Sequence, residues 1–284
     1  RGERVKQCGD VDGVELDRVV GGHVDTLRTE LARLGADPRT GALPDDLVVV
    51  QVGDLVHRGP ASEAVVDLVD HYLAEQPEQW IQLVGNHEML YLREPAFVWT
   101  EQVADATAAT LRRWWDDGSM LAAAALRTPS ADYLVTHAGL TAGMWRSALD
   151  TPIDAGAAAK ALNALIGKRD GVLARDGVML RGNRVNQGAG PLWAEAAREL
   201  VPSWRQTPMP FSQIHGHSTL QDWNAGVFRA TADIEATTRL DHRRRHEVTA
   251  VSGETIVGVD PCLGETAGAP LRAWEAELIG PVVR

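Results

Sequence analysis

Four apolar stretches of the chain each stop at a short polar cluster able to bind a cation or to move a proton. Asp46-Leu-Val-Val-Val-Gln-Val-Gly-Asp54 ends in Gly-Asp, and Trp80-Ile-Gln-Leu-Val-Gly85 runs into Asn86-His87-Glu88. Tyr133-Leu-Val-Thr-His137 leads into Ala-Gly, and Phe211-Ser-Gln-Ile-His-Gly-His217 closes on His-Gly-His. Each has an ordinary explanation alone: a histidine at a strand end is commonly a hydrogen-bonded structural residue, and an Asp after a strand commonly caps a helix. Oxygen and imidazole donors gathered at one sheet edge instead suit first-row divalent metals such as Mn, Fe, Zn or Ni. Four such ends in one chain argue against coincidence.

The elements that would carry them can be read from the same stretches. The run over 46–54 is uninterrupted and apolar, as in a strand buried on both faces. Ser62 to Ala74 then places Val65, Val66, Leu68, Val69, Tyr72 and Leu73 at helical spacing, with Ser62 as N-cap. A second short strand comes next over 80–85. Strand, helix, strand reads as a βαβ unit with its site at the carboxyl edge of the sheet. Further along, Thr107 to Leu126 and Ile153 to Leu165 read as helices, and the Ala-rich stretches at 121–125 and 155–161 fit helix propensity. Gly182 to Gly190 reads as loop, and Thr255 to Asp260 as a last strand. Arg243-Arg-Arg245, between His242 and His246, reads as a solvated surface turn. Trp114-Trp115 and Met144-Trp145 sit in apolar helical contexts that suit core or lid packing.

Composition bounds what such a site could serve. The 284 residues carry 28 Lys or Arg against 39 Asp or Glu, a formal net charge of −11. With 44% hydrophobic and 24% charged residues, the chain suits one large α/β domain or at most two small ones. No apolar run approaches the ~20 residues of a membrane span, and no secretory signal is expected from the opening Arg-Gly-Glu-Arg. The two cysteines, Cys8 and Cys262, form no framework and fit a reducing cytoplasm. An acidic balance disfavours non-specific nucleic-acid binding, which rests on Lys and Arg. It is compatible with a phosphate substrate, because a bound cation inverts the local field. Nine His and nine Trp, against three Tyr and three Phe, are the oddity of the composition.

Gly53-Asp-Leu-Val-His-Arg-Gly-Pro60, Gly85-Asn-His-Glu88, Thr136-His-Ala-Gly139 and Gly216-His217 together resemble the signature blocks of the calcineurin-like metallophosphoesterases. Within that superfamily the chain looks most like the bacterial phosphoprotein-phosphatase branch, which includes symmetrical diadenosine tetraphosphate hydrolases. Those hydrolases are similar in the Gly-Asp-Leu-Val-x-Arg-Gly-Pro block and in a His-Ala-Gly block followed by Trp, here Trp145. The resemblance spans roughly residues 8 to 262. It implies an α/β fold built as a two-layered β-sandwich flanked by helices. It also implies two divalent metal ions, with Mn favoured and Fe, Zn, Ni or Mg possible. Asp54 would bridge them, while Asn86, His137 and His217 would hold the second. His87 would protonate the leaving oxygen, and Arg58 would bind the phosphate.

Two departures from the family pattern bear on activity. The first block should supply an Asp and a His; Gly9-Asp-Val-Asp-Gly13 supplies Asp10 and Asp12, and a second carboxylate would favour Mn or Mg over Zn. Arg18-Val-Val-Gly-Gly-His23, leading into a helix over 24–34, is the competing frame; Asp10 and Asp12 are preferred. Second, His57 stands where the Ser/Thr phosphatases carry an Asp that orients the catalytic His. Arg181 and Arg184 are open as a further phosphate contact, His215 as a structural imidazole or a ligand, and Glu88 and Asp260 read as structural. The expectation is a single domain over 1–284, with helical and loop insertions at about 95–130 and 150–210. It hydrolyses a phosphoester or phosphoanhydride by attack of metal-bound hydroxide, with a dinucleoside polyphosphate as one substrate. The alternatives are a bacterial Ser/Thr or Tyr protein phosphatase and a metal-poor member that binds or regulates. The partners expected are a phosphorylated small molecule, nucleotide or phosphoprotein, with no membrane.

Overall fold

A computed structural model describes residues 4–7, 21–260 and 271–284. Its strands are β1 (Arg4–Gln7), β2 (Leu47–Gln51), β3 (Trp80–Leu83), β4 (Met120–Leu121), β5 (Ala123–Arg127), β6 (Asp132–Thr136) and β7 (Ser212–His215). They continue with β8 (Gln221–Asp222), β9 (Val227–Phe228), β10 (Thr238–Asp241), β11 (His246–Val251), β12 (Glu254–Gly258) and β13 (Trp274–Glu277). One sheet has the order β13-β1-β2-β3-β4 and a second β10-β11-β12-β7-β6-β5; β8 and β9 form a small hairpin. Val49, Val50 and Leu83 of the first sheet share one apolar core with Leu134, Ile214 and Val257 of the second. Helices α1 (Val24–Arg33), α2 (Ser62–Glu75), α3 (Asn86–Leu92), α4 (Asp105–Asp117), α5 (Ala142–Ala148) and α6 (Ala155–Asn163) flank the sheets. This is the paired-sheet α/β architecture expected from the blocks.

The βαβ unit forms as read, with β2 and β3 parallel and α2 between them. All four residues of β3 are buried, and Val49, Val50 and Gln51 of β2 are fully enclosed. The same directionality recurs in the second sheet, where β6 and β7 run parallel. The central strands of both sheets therefore deliver their carboxyl ends to one edge of the sandwich.

Three local expectations are corrected. The helix expected to reach Leu126 stops at Asp117, because Gly118 takes a left-handed conformation (φ 79°) and caps it. The alanines beyond it form β5 instead. Ala123–Ala125 pair antiparallel with β6, are buried, and pack beneath α6, where small side chains permit close approach. Asn163, at the end of α6, accepts from the Ala122 and Ala123 N–H groups at 2.9 and 3.0 Å and donates to the Ala123 carbonyl. Tertiary pairing here overrides helix propensity. Ser62 does not cap α2: its Oγ accepts the His57 N–H at 2.9 Å, and Ala61 is the N-cap residue. Finally, β12 is not the last strand, because β13 pairs antiparallel with β1.

The basic triplet is an exposed turn, as read, but it joins two strands that no sequence pattern announces, β10 and β11. Trp114 is fully buried and donates to Asp70 at 2.8 Å. Trp145 packs on Trp204 in a separate apolar cluster. No helix among the described residues is long and apolar enough to cross a membrane.

His246 gives the fold a proton-linked weakness. It is 3% exposed and donates from Nε2 to the Arg272 carbonyl at 2.8 Å. Burial pushes its pKa down to about 3 from an ordinary 6.5. The imidazole is thus neutral in the fold, while the unfolded chain takes up a proton below 6.5. Its contribution is complete above pH 6.5 and is lost as pH falls toward 3, at about 1.4 kcal/mol per pH unit. His246→Gln keeps an amide donor without the titration. Urea unfolding at neutral and mildly acid pH should show the acid-induced loss of stability shrinking by about 2 kcal/mol in this variant. An unchanged loss would assign the effect to other groups.

Candidate active site

Every polar cluster singled out from the four apolar stretches lands at the shared sheet edge. Asp54, His57 and Arg58 lie on the loop leaving β2, Asn86 and His87 open α3 directly after β3, and His137 and His217 lie just beyond β6 and β7. The backbone there is unusual. Asp54 (φ 56°), His57 (74°), Arg58 (67°) and His217 (66°) all occupy the left-handed region, which is costly for residues other than Gly. Gly53 (φ 96°) and Gly85 face each other at the crossing of the two loops. A Cβ on Gly53 would strike the Gly85 backbone, and one on Gly85 would strike the Asp54 carboxylate.

Glu88 holds this backbone in place. Fully buried, it accepts the N–H groups of Asp54 and Leu55 at 2.7 Å each, of Val56 at 3.3 Å, and of Gly85 at 2.9 Å. The structural role read for Glu88 is therefore specific: one carboxylate joins the β2 loop to the start of α3.

Asp54, His137 and His217 present one donor atom each within 4.8 Å of one another, all buried. Asn86 completes the group, its Oδ1 lying 2.8 Å from His137 Nε2 and 2.9 Å from His217 Nδ1. His137 Nδ1 faces the Val52 carbonyl at 2.7 Å and must donate to it, so the neutral ring keeps a lone pair on Nε2. That lone pair points at the Asn86 oxygen and lies 3.6 Å from Asp54 Oδ1. Asp54 Oδ2 is buried without a hydrogen-bond partner among the described residues. Electron-rich atoms converging in a buried space are costly unless a cation lies among them. The residues present therefore fit a divalent metal.

Asp10 and Asp12 lie outside the described residues. His23, from the competing frame, is half-buried at the start of α1, its Nε2 without a hydrogen-bond partner among the described residues, and burial lowers its pKa. It does not join the Asp54, His137 and His217 group. His215 is buried with Nδ1 at 2.8 Å from the Gly216 carbonyl, and burial pushes its pKa down to about 4. It too stands apart from the donor group. Arg181 pairs with Asp176, and Arg184 donates to the Arg181 carbonyl. Among the described residues, neither makes a hydrogen bond to the site.

His87 donates its backbone N–H to Asp54 Oδ1 at 2.9 Å, and its Nε2 lies 3.6 Å from Asp54 Oδ2. Its Nδ1 is 2.9 Å from Nδ1 of His57, whose Nε2 is 2.6 Å from the Tyr91 hydroxyl. Desolvation, aided by the nearby Arg58 charge, pushes the His57 pKa down to about 4. Arg58 is anchored by its backbone N–H to Glu101 at 2.7 Å, and its guanidinium lies 5.0 Å above the Trp99 ring. Trp99 also stacks on His57 at 5.3 Å. An aromatic arc continues through Phe97 and Trp193 to His217. Tyr91, Trp99 and Trp193 are site residues that the sequence does not single out; the excess of Trp over Phe and Tyr is the one available signal.

A profile of calcineurin-like phosphoesterases matches residues 3–218. No curated protein sequence matches. Among solved structures, a cold-active protein tyrosine phosphatase is similar at 16% identity, with 95% of this chain and 72% of that one covered and a TM-score of 0.51. A protein assigned as a diadenosine tetraphosphatase aligns at 17% identity over 91% and 87% of the two chains, with a TM-score of 0.38. A Saccharomyces cerevisiae protein serine/threonine phosphatase aligns at 14% identity over 98% and 80%, with a TM-score of 0.45. At such identities the likeness to the first concerns the fold alone.

The Glu88 tether makes a direct prediction. Glu88→Gln places an amide N–H among backbone donors, so unfolding free energy should drop by about 3 kcal/mol. Cation affinity should fall with it, because Asp54 loses its backbone anchor. Isothermal titration with Mn and urea unfolding measure the two effects; a variant native in both would show that the tether is dispensable.

Proposed function

The chain belongs to the calcineurin-like phosphoesterase family and is a phosphoester hydrolase of that type, and from this premise we infer a two-cation site that hydrolyses a phosphoester or phosphoanhydride. The observation that carries the reading is the buried convergence of Asp54, Asn86, His137 and His217 around a carboxylate oxygen with no hydrogen-bond partner among the described residues. Asp54 would bridge the two ions, Asn86, His137 and His217 would hold one of them, and Asp10 with Asp12 would serve the other. Mixed oxygen and imidazole donors suit Mn, with Fe, Zn, Ni or Mg as alternatives. Such cations polarise the phosphoryl group and acidify the attacking water.

The remaining roles belong to side chains. Arg58 would bind phosphate oxygens, for which its planar fork is suited. Its placement over Trp99 holds the guanidinium without consuming its charge. His87 would face the leaving oxygen through Nε2. For substrate, the reading favours a phosphoanhydride, such as a dinucleoside polyphosphate, over a phosphoprotein. Its support is the Arg58-Gly-Pro60 turn and a non-acidic residue at position 57. Trp145 adds nothing, since it packs on Trp204 and donates to the Pro152 carbonyl.

The test pairs metal content with turnover. Protein purified with added Mn should retain cations and hydrolyse p-nitrophenyl phosphate. Asp54→Asn should lose both, whereas His87→Asn should keep the metal and lose about a hundredfold or more in kcat. Substoichiometric metal together with untouched substrate would overturn the two-cation reading in favour of a metal-poor binding protein. In a substrate panel, faster cleavage of phosphopeptides than of dinucleoside polyphosphates would overturn the substrate assignment.

A further inference from the structure

The Tyr91 hydroxyl accepts the Val103 N–H at 3.2 Å and lies 2.6 Å from His57 Nε2. Tyr91 is half-buried, and among the described residues His57 Nε2 is the acceptor within reach of its phenolic proton, which the short 2.6 Å contact assigns to it. Burial raises the Tyr91 pKa, which keeps that proton on the oxygen. A neutral His57 with Nε2 accepting carries its own proton on Nδ1. That N–H is directed at His87 Nδ1, 2.9 Å away. His87 Nδ1 therefore accepts, and the His87 proton sits on Nε2, on the side of Asp54 Oδ2. The chain of donors runs one way: Val103 to Tyr91 to His57 to His87.

A carboxylate at position 57 would give the opposite polarity. It can only accept, so His87 would donate from Nδ1 and could pass a proton from Nε2 while ending as a neutral ring. With His57 as donor, loss of the Nε2 proton would leave an imidazolate. His87 then offers a hydrogen bond to the leaving oxygen and retains its proton.

We propose that His57 and Tyr91 are positioning residues that fix the hydrogen-bond polarity of His87 and so select substrates whose leaving oxygen departs as an anion: phosphoanhydrides and aryl or enol phosphates rather than alkyl phosphates. The proposal rests on the reading of His87 as the group facing the leaving oxygen. In the step, the water oxygen forms the new P–O bond and its proton is released to solvent. The bond to the leaving oxygen breaks, and its electron pair departs with that oxygen, which accepts the His87 Nε2–H hydrogen bond. A phosphate leaving group is stable as an anion near neutral pH, whereas an alkoxide requires a proton.

The experiment uses the Mn-loaded enzyme with dinitrophenyl, p-nitrophenyl and phenyl phosphate and with phosphoserine. The native enzyme should show a steep fall in kcat/KM along that series. His57→Asn, which keeps an N–H donor near the same position, should remain steep. His57→Asp, of the same shape but accepting only, should raise the phenyl-to-dinitrophenyl ratio by about tenfold or more. Both residues tolerate the positive φ at this position. Tyr91→Phe frees His57 to reverse and should fall between the two. Heteronuclear NMR of labelled histidines should find the neutral His87 ring protonated at Nε2 in the native enzyme and in His57→Asn, but not in His57→Asp. A shallow native series, or equal ratios in the Asn and Asp variants, overturns the proposal. His87→Asn separates the two levels: if it leaves kcat unchanged on every substrate, the reading of His87 itself has failed.

Discussion

The loops carrying Asp54 and His87 come from different strands, and the Glu88 carboxylate is where they become one object. Three consecutive N–H groups of the β2 loop and one at the start of α3 converge on its two oxygens. Those donors have no strand partner, because the chain has left the sheet, and burying them unpaired would cost about 1–3 kcal/mol each. One acidic side chain at the third position of a helix resolves them all, and its reach back to the Gly85 N–H resembles half of a capping box. The left-handed conformations at Asp54, His57 and Arg58 are held against this anchor. Gly53 and Gly85 provide the room for the two loops to cross. The direction in which Asp54 presents its oxygens, and with it the geometry of the donor group, depends on that carboxylate.

The sequence is most informative where structure is encoded locally. Apolar runs such as 46–54 and 80–85 carry their own strand signal, and the residue that ends each run is necessarily at the sheet edge. Parallel strands then bring those ends together without further information. Ala123–Ala125 read as helix because a small residue favours one when considered alone, while the close approach of α6 is a tertiary fact. Strand β11 is hidden by His246 and Glu247, polar types in the sequence that are buried in the fold. Glu247 is tolerated there because it accepts the Leu220 and Gln221 N–H groups, and burial pushes its carboxyl up to about 8. Ser62 has the right type and place for a helix cap, yet its hydroxyl serves His57. Tyr91 and Trp99 are illegible for a different reason. Their relation to His57 depends on how residues 91–103 fold over the β2 loop, which no local pattern states.

The acidic balance of the chain argues against polyphosphate partners at first sight, and the site restricts that argument to unassisted binding. At the sheet edge the carboxylate and imidazole donors face inward and suit cations. Glu101 reaches the Arg58 backbone and leaves the guanidinium to the Trp99 face. The basic triplet of the β10–β11 turn lies elsewhere, with Arg244 pairing Asp241 and Glu275. Net charge therefore describes the surface, while the phosphate would meet a local field set by cations and one arginine.

Position 57 couples that field to proton placement. A carboxylate next to Arg58 would cancel much of its charge and support a positive His87. A neutral imidazole does neither. The coupling also acts in reverse, since the Arg58 charge is one of the two causes that hold the His57 pKa near 4, after desolvation. Arg58 thus helps to keep its neighbour neutral, and the neutral neighbour would leave the Arg58 charge available to the phosphate it is proposed to bind. Trp99 reinforces both by stacking on His57, which deepens its burial, and by offering a π face rather than a counter-anion to the guanidinium. On the proposed reading, a neutral relay in place of a charged dyad would remove a proton source and strengthen anion binding together. Those changes would suit a substrate with more phosphoryl charge and a more acidic leaving group, as in the phosphoanhydride proposed.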